Sequence, residues 1–487
     1  MSETPPAAPG PSPDLRPLEP SPEELEGWLE EAMEHVRRYL ESLPEQPAAD
    51  VEGAAEVARR LREPMPEKGA PLPELLELLF ERAVPKSFNT ASPGYLAYIP
   101  GGGIVHAALA DFLAGIVNRY VGVWQAAPAL VELEANTIRW LCRLAGYPET
   151  AFGILTTGGS LANFSALVTA RRELLPDDFL NGTLYVSEEV HHSVAKAAIL
   201  AGFPLENVRR LPTDERFRLP PDIVATKIRE DRDAGLEPFA VVASAGTTST
   251  GAVDDLPALT DLSRQEDLWL HVDAAYGGFF LLTDRGREIL AGIEDADSIT
   301  LDPHKGLFLP YGTGCLLVRD GEALKRAHTF GADYLPPLQE GLERPDFCSL
   351  SPELSRDFRG LRLWLPLKMA GAAAFRRTLE EKLDLARWAA EELGRWENLE
   401  ILAPPELSLF AFRWSPPGIS LEDSNRLNRE WLERTNARRR VFLTGTVLEG
   451  RFVLRICVLS FRTHRERIES ALEDLGDALR EIRDETS

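Results

Sequence analysis

From residue 152 onward, short apolar runs rich in β-branched residues alternate with helix-length segments, and few folds admit that alternation. Candidate strands lie at 152–156, 182–186, 239–243, 267–272, 298–301 and 314–318, with helical patterns between most of them. The pattern predicts a mostly parallel sheet covered by helices on both faces. Ligands of such sheets gather at the carboxyl ends of the strands, so residues just after each run are the first candidates for a site.

The run Ser298 to Leu301 breaks at Pro303 and is followed by His304, Lys305 and Gly306, then by a second apolar run, Cys315 to Val318. A lysine at a strand end, beside a histidine and among apolar residues, is placed to be desolvated. Desolvation disfavours the ammonium form and leaves an amine able to attack an aldehyde. Taken alone, such a lysine is more often a surface residue of a loop.

Three further groups change that balance. Asp273 closes the run Leu268-Trp269-Leu270-His271-Val272, and a carboxylate at a buried strand end needs a positive partner. Gly158-Gly159-Ser160 joins a strand to the helical run Leu161–Arg171; glycines there expose backbone N–H groups to an anion such as phosphate. A plain tight turn is the simpler reading of that triplet, and neither a GxGxxG pattern nor a Walker lysine accompanies it. His191 follows the strand 182–186, and Thr247 lies in a hydroxyl-rich loop after 239–243. Phosphate turn, histidine, carboxylate and lysine, in that order at successive strand ends, fit pyridoxal 5′-phosphate: the lysine for its aldehyde, the carboxylate for its pyridinium nitrogen.

Composition narrows the alternatives. A net charge of −24 leaves no basic face for nucleic acid. Four cysteines without CxxC spacing suggest neither a zinc site nor a disulfide framework, so no metal is expected. No signal pattern and no bilayer-spanning apolar run is present, and a cytoplasmic protein with no membrane partner is expected.

The chain divides into a Pro- and Ala-rich disordered tail (1–20), an N-terminal helical dimerisation segment (21–92), a large cofactor domain (93–360) and a small C-terminal α+β domain (361–487). Ser21-Pro22-Glu23-Glu24 reads as a helix start. Helices are expected near 50–62, 73–83, 104–117, 128–145, 358–375, 377–396, 421–435 and 464–482, with a strand at 407–413 and a hairpin at 440–459 turning at Glu449-Gly450. The helical segment at 21–85 carries too little apolar surface to fold alone, which points to packing on the main domain or on another subunit.

The sequence resembles the group II pyridoxal phosphate-dependent amino-acid decarboxylases, the family of aromatic-L-amino-acid decarboxylase. The resemblance runs from Ser92-Pro93 through Trp124, Glu132-Leu133-Glu134, Gly158-Gly159-Ser160, His191, His271-Val272-Asp273-Ala274-Ala275-Tyr276 and Asp302-Pro303-His304-Lys305 to Phe358-Arg359-Gly360-Leu361-Arg362-Leu363-Trp364. It implies fold type I, the aspartate aminotransferase fold. It implies that Lys305 carries the cofactor, Asp273 pairs with its ring nitrogen and His191 stacks on the ring. Gly158, Gly159 and Ser160 would hold the phosphate, helped by Asp302 or His304, with Ala275 beneath the ring and Thr247 near its oxygen. Tyr334 falls in a stretch (Asp333 to Pro352) matching the family's mobile catalytic loop and would supply a proton. Homodimers with shared active sites are implied, as is a small-molecule amino-acid substrate contacted by Thr90, Tyr98, Ile99 and Pro100.

Several positions depart from the family pattern. Gly306 stands where Trp is usual and Asp302 where Asn is usual. Thr90, Ile99 and Gly122 stand where aromatic-specific members carry rings, so an aromatic substrate is only weakly favoured. Other enzymes of this fold (a lyase, an aldehyde synthase or an aminotransferase) and a non-catalytic cofactor-binding protein are the alternatives. For an aminotransferase, Arg455 is the candidate to hold a substrate carboxylate.

Overall fold

The computed structural model describes residues 18–330, 339 and 341–486. Two compact units are present, one ending at Asn89 and one from Thr90 onward. In the first, the helix Pro22–Ser42 begins with a capping box in which Ser21 and Glu24 satisfy each other's backbone N–H groups. Trp28, Leu29 and Met33 on this helix remain exposed. The region expected as one helix at 73–83 is an α-helical piece, Leu72–Glu77, continued by a π-helical turn, Leu78–Ala83.

The second unit is built on a seven-stranded sheet. Its strands are β1 (Phe152–Thr156), β2 (Gly182–Ser187), β3 (Val208–Leu211), β4 (Glu237–Ser244), β5 (Trp269–Asp273), β6 (Ser298–Leu301) and β7 (Gly314–Val318). Their order across the sheet is β1-β7-β6-β5-β4-β2-β3, and only β7 runs against its neighbours. This is the mostly parallel α/β architecture the alternation predicts. The strands β1, β2, β5, β6 and β7 are buried along their whole length, as sheets covered on both faces require. β3 escaped the sequence reading because it is a four-residue edge strand, Val-Arg-Arg-Leu, with two charged positions.

A four-stranded antiparallel sheet follows, ordered β10-β11-β9-β8: β8 (Leu399–Ala403), β9 (Leu409–Trp414), β10 (Thr444–Leu448) and β11 (Arg451–Cys457). The β10–β11 hairpin turns at Glu449-Gly450, both with positive φ. β8 was not expected, because its hydrophobic alternation is weak at an edge. Gly371, at φ +74°, separates two helices, Arg359–Ala370 and Ala372–Gly394, where continuous apolar character had suggested one helix as far as 375.

The small sheet is tied to the large one beside the site. The Tyr276 hydroxyl lies 3.0 Å from Ser408 Oγ and accepts from Ser408 N at 2.9 Å. Burial pushes that phenol well above its ordinary pKa, so it stays a neutral link.

Candidate active site

The parallel strands deliver their terminal residues to one cleft of about 300 Å³. Its lining includes Gly158, Gly159, Ser160, His191, Thr247, Asp273, Ala275, Asp302, His304 and Lys305. All ten residues expected to touch the cofactor are therefore brought together. A larger groove, about 800 Å³, lies beside Trp124, Glu132, Arg139 and Arg344 and contains none of them.

Lys305 stands on a single helical turn, Pro303–Gly306, directly after β6. Its Nζ is 2.9 Å from Asp302 Oδ2. Burial alone would lower the lysine pKa, but the Asp302 and Asp273 carboxylates outweigh it and the net direction is upward. The expectation that desolvation leaves a free amine is corrected by this pairing: the carboxylates beside Lys305 favour its ammonium form.

Asp273 ends β5 and is 8% exposed. Its Oδ1 accepts from Ala275 N at 3.1 Å and its Oδ2 from Asn163 Nδ2 at 2.9 Å. Asn163 was absent from the sequence reading. It sits on the helix Gly159–Leu174 that the glycine turn starts, and the same amide nitrogen reaches Ser193 Oγ at 3.0 Å. Ser193 Oγ in turn lies 2.7 Å from His191 Nδ1. On its acceptor side, Asn163 Oδ1 meets Thr300 Oγ1 at 2.7 Å and His271 Nε2 at 3.0 Å. One buried amide thus connects the carboxylate, the histidine and the strand floor. The available signal was a polar residue three places after Ser160, on the face of the helix turned toward the sheet.

His191 caps the helix His192–Leu200, its Nδ1 accepting from Ser193 N at 3.3 Å. Burial is the main influence on its ring and lowers its pKa, favouring neutral imidazole. Thr247 Oγ1 lies 2.5 Å from Thr250 Oγ1 and accepts from Ala252 N at 3.2 Å, which fixes its hydroxyl at the cleft wall.

The departures from the family pattern have physical counterparts. A side chain at Gly306 would meet Phe279 Cβ at 2.6 Å, so the fully buried Phe279 ring takes the room a larger residue 306 would need. A Cβ on Gly122 would collide with the Tyr120 ring, so an aromatic side chain occupies that space from a neighbouring position. The candidates Thr90, Tyr98, Ile99 and Pro100 do not line the cleft of the single chain. Ile99 and Pro100 are buried, whereas Tyr98, at φ +52°, is 51% exposed. Tyr334 lies outside the described residues. Farther along the stretch matched to a mobile loop, Asp346 is buried, accepting from Trp124 N and Gln339 N at 2.6 Å each.

Arg455 is not free for a substrate carboxylate. Its Nε donates to Ser249 O at 3.0 Å, one terminal nitrogen to Thr444 Oγ1 at 3.0 Å and the other to Thr248 O. At 5% exposure it is a buried brace for the Thr247 loop.

Residues 56–415 match the pyridoxal-dependent decarboxylase conserved domain. The chain belongs to the pyridoxal-dependent decarboxylase family. It is similar to an aromatic-L-amino-acid decarboxylase of Bacillus atrophaeus, 36% identical over 397 residues covering 81% of this chain and 83% of the relative. It is also similar to tryptophan decarboxylase 1 of Oryza sativa subsp. japonica, 32% identical with 83% and 84% of the two chains covered. Among solved structures, Oryza sativa TDC with PLP and tryptamine superposes with a TM-score of 0.90 at 28% identity, covering 96% of this chain and 99% of that one. This decarboxylase uses pyridoxal phosphate, and its cleft fits that group: a close-packed glycine turn at a helix N-terminus, a lysine and a buried carboxylate converge on one volume. Among the described residues no helix is long and apolar enough to cross a membrane, and no His, Cys, Asp and Glu cluster could hold a metal ion.

Proposed function

We propose that this decarboxylase removes carbon dioxide from an L-amino acid, with a weak preference for aromatic side chains, by the following division of labour. Lys305 would hold the cofactor through its side-chain nitrogen. Gly158, Gly159 and Ser160 hold the phosphate through the first N–H groups of their helix and the serine hydroxyl. Asp273 would hold a proton at the ring nitrogen, and His191, Ala275 and Thr247 would hold the ring in the cleft. The bound cofactor supplies an electron-accepting ring for the bonding pair left by carbon dioxide. Tyr334 donates the proton that completes the amine. The observation that carries this reading is the convergence of Lys305, Asp273, His191 and the glycine turn on one cleft.

The aromatic preference is supported by the decarboxylases the chain is similar to, by Tyr98 and Pro100 in the neighbouring loop, and by the Tyr120 ring beside Gly122. Thr90 and Ile99 complete the proposed substrate-contacting set. A homodimer with shared sites is supported by the exposed apolar row Val105, Leu109, Phe112, Leu113 and Ile116 on the helix Val105–Val117. A cytoplasmic location is supported by four free, buried cysteines.

The test is a panel of amino acids assayed for released carbon dioxide and amine. Tyrosine, tryptophan or phenylalanine should give the highest kcat/KM. An acidic or aliphatic amino acid turned over far faster would overturn the preference, and keto-acid formation without carbon dioxide would overturn the reaction.

A further inference from the structure

The cleft has a charge balance ill suited to a dianion. Its described lining holds two carboxylates, Asp273 and Asp302, against one ammonium, Lys305. His191 and His304 also face it, and burial, the largest influence on both, lowers their pKa values. The Arg362 guanidinium also acts on His304, but it is held by Asp111 at 2.5 Å, Thr313 Oγ1 at 2.8 Å and Gly312 O at 3.1 Å. The other ionisable groups facing this corner, the Tyr311 phenol and the Cys315 thiol, are kept protonated by burial.

Asp302 is 2% exposed. Its Oδ2 is shared between Lys305 Nζ at 2.9 Å and His304 Nε2 at 3.6 Å. Its Oδ1 is buried and, among the described residues, has no hydrogen-bond partner. Both oxygens abut the glycine turn: a Cβ on Gly159 would lie 3.0 Å from Oδ2 and 3.3 Å from Oδ1. His304 Nδ1 lies 2.5 Å from the Thr313 carbonyl, which can only accept, so the neutral ring carries its proton there and Nε2 is bare toward Asp302.

We propose that this cleft accepts the cofactor's phosphate together with one proton from solvent, which settles on the Asp302–His304 pair. The inference rests on Gly158–Ser160 being the phosphate cradle. A bare carboxylate against the cradle repels the arriving dianion, and the single positive charge at Lys305 cannot offset both. One proton removes the repulsion. It also creates a donor, either an O–H on Asp302 or an N–H on His304 Nε2, that can hydrogen-bond a phosphate oxygen.

The test titrates the full-length chain, freed of cofactor, with pyridoxal phosphate and separately with pyridoxal, which lacks the phosphate. Calorimetry near pH 8 in buffers of different ionisation enthalpy counts the protons taken up. The wild type should take up about one more proton with pyridoxal phosphate than with pyridoxal, so affinity for the former should fall more steeply with pH, by at most about tenfold per pH unit. Asp302→Asn should lose that excess and bind pyridoxal phosphate more tightly than wild type at pH 8.5. Equal proton counts for the two ligands in the wild type would overturn the inference whether or not the variant folds, and so would an unchanged excess in Asp302→Asn. A chain that does not take pyridoxal phosphate on Lys305, and so shows no visible absorbance from it, overturns the site reading and this inference together. A chain that takes it with equal proton counts overturns this inference alone.

Discussion

Asn163 Nδ2 donates to Asp273 Oδ2 at 2.9 Å from a helix whose first turn is the glycine cradle. The residue proposed to hold the cofactor's ring nitrogen is therefore aimed by the same helix proposed to hold its phosphate.

Asn163→Ala should leave Asp273 Oδ2 without its partner and Ser193 without its link to the carboxylate. Removing a hydrogen bond to a buried charged group costs about 1–3 kcal/mol, so kcat should fall by about tenfold or more. The visible spectrum of the bound cofactor should shift as well, because the proton on its ring nitrogen is less firmly held. A variant with reduced stability but unchanged spectrum and kcat would show that Asn163 serves the fold alone.

Arg455→Lys tests the brace. A single ammonium cannot reach Thr248 O, Ser249 O and Thr444 Oγ1 together. The variant should lose cofactor faster on dialysis, while its product remains amine and carbon dioxide. A raised KM for the amino acid with cofactor retention unchanged would assign Arg455 to the substrate carboxylate instead.

Much of this arrangement was legible in the sequence, for physical reasons. Ser298 to Leu301, Pro303 and Lys305 announce a strand, its end and a side chain just beyond it, and parallel topology turns each strand end into cleft wall. The features that escaped depend on tertiary contact. Local pattern shows an asparagine at 163 but not that it faces Asp273. It shows Asp302 three places before Lys305, but not that its carboxylate lies 2.9 Å from the lysine nitrogen and reverses the direction of its pKa. Edge strands β3 and β8 escaped because solvent-facing strands lose the hydrophobic signal that marks buried ones.

Acid should destabilise the fold through one buried imidazole, His271, and one half-buried one, His328. Burial, the dominant cause in each, pushes His271 and His328 down to about 4. In the unfolded chain both protonate near 6.5, as is ordinary for histidine. The unfolded state therefore binds more protons between these values, and stability is complete above about pH 6.5 and lost as pH falls toward 4. The gap corresponds to at most about 3.4 kcal/mol per histidine. Melting temperature should fall between pH 7 and 4.5, and His328→Gln, outside the cleft, should show a smaller fall. An identical fall in that variant would remove His328 from the account.

Tyr334→Phe keeps the ring and removes the acidic proton. Amine output should drop by about 10²–10⁴-fold, the range for loss of a positioned general acid, with cofactor content unchanged. Amine output near the parental level would exclude Tyr334 as the essential acid.

The central claim, that Lys305 is the residue that carries the cofactor, is tested most directly by reducing the purified protein with borohydride and determining which peptide is labelled. The account predicts pyridoxyl phosphate fixed on the peptide containing Lys305, with loss of the visible absorbance. A label fixed on any other lysine would contradict it.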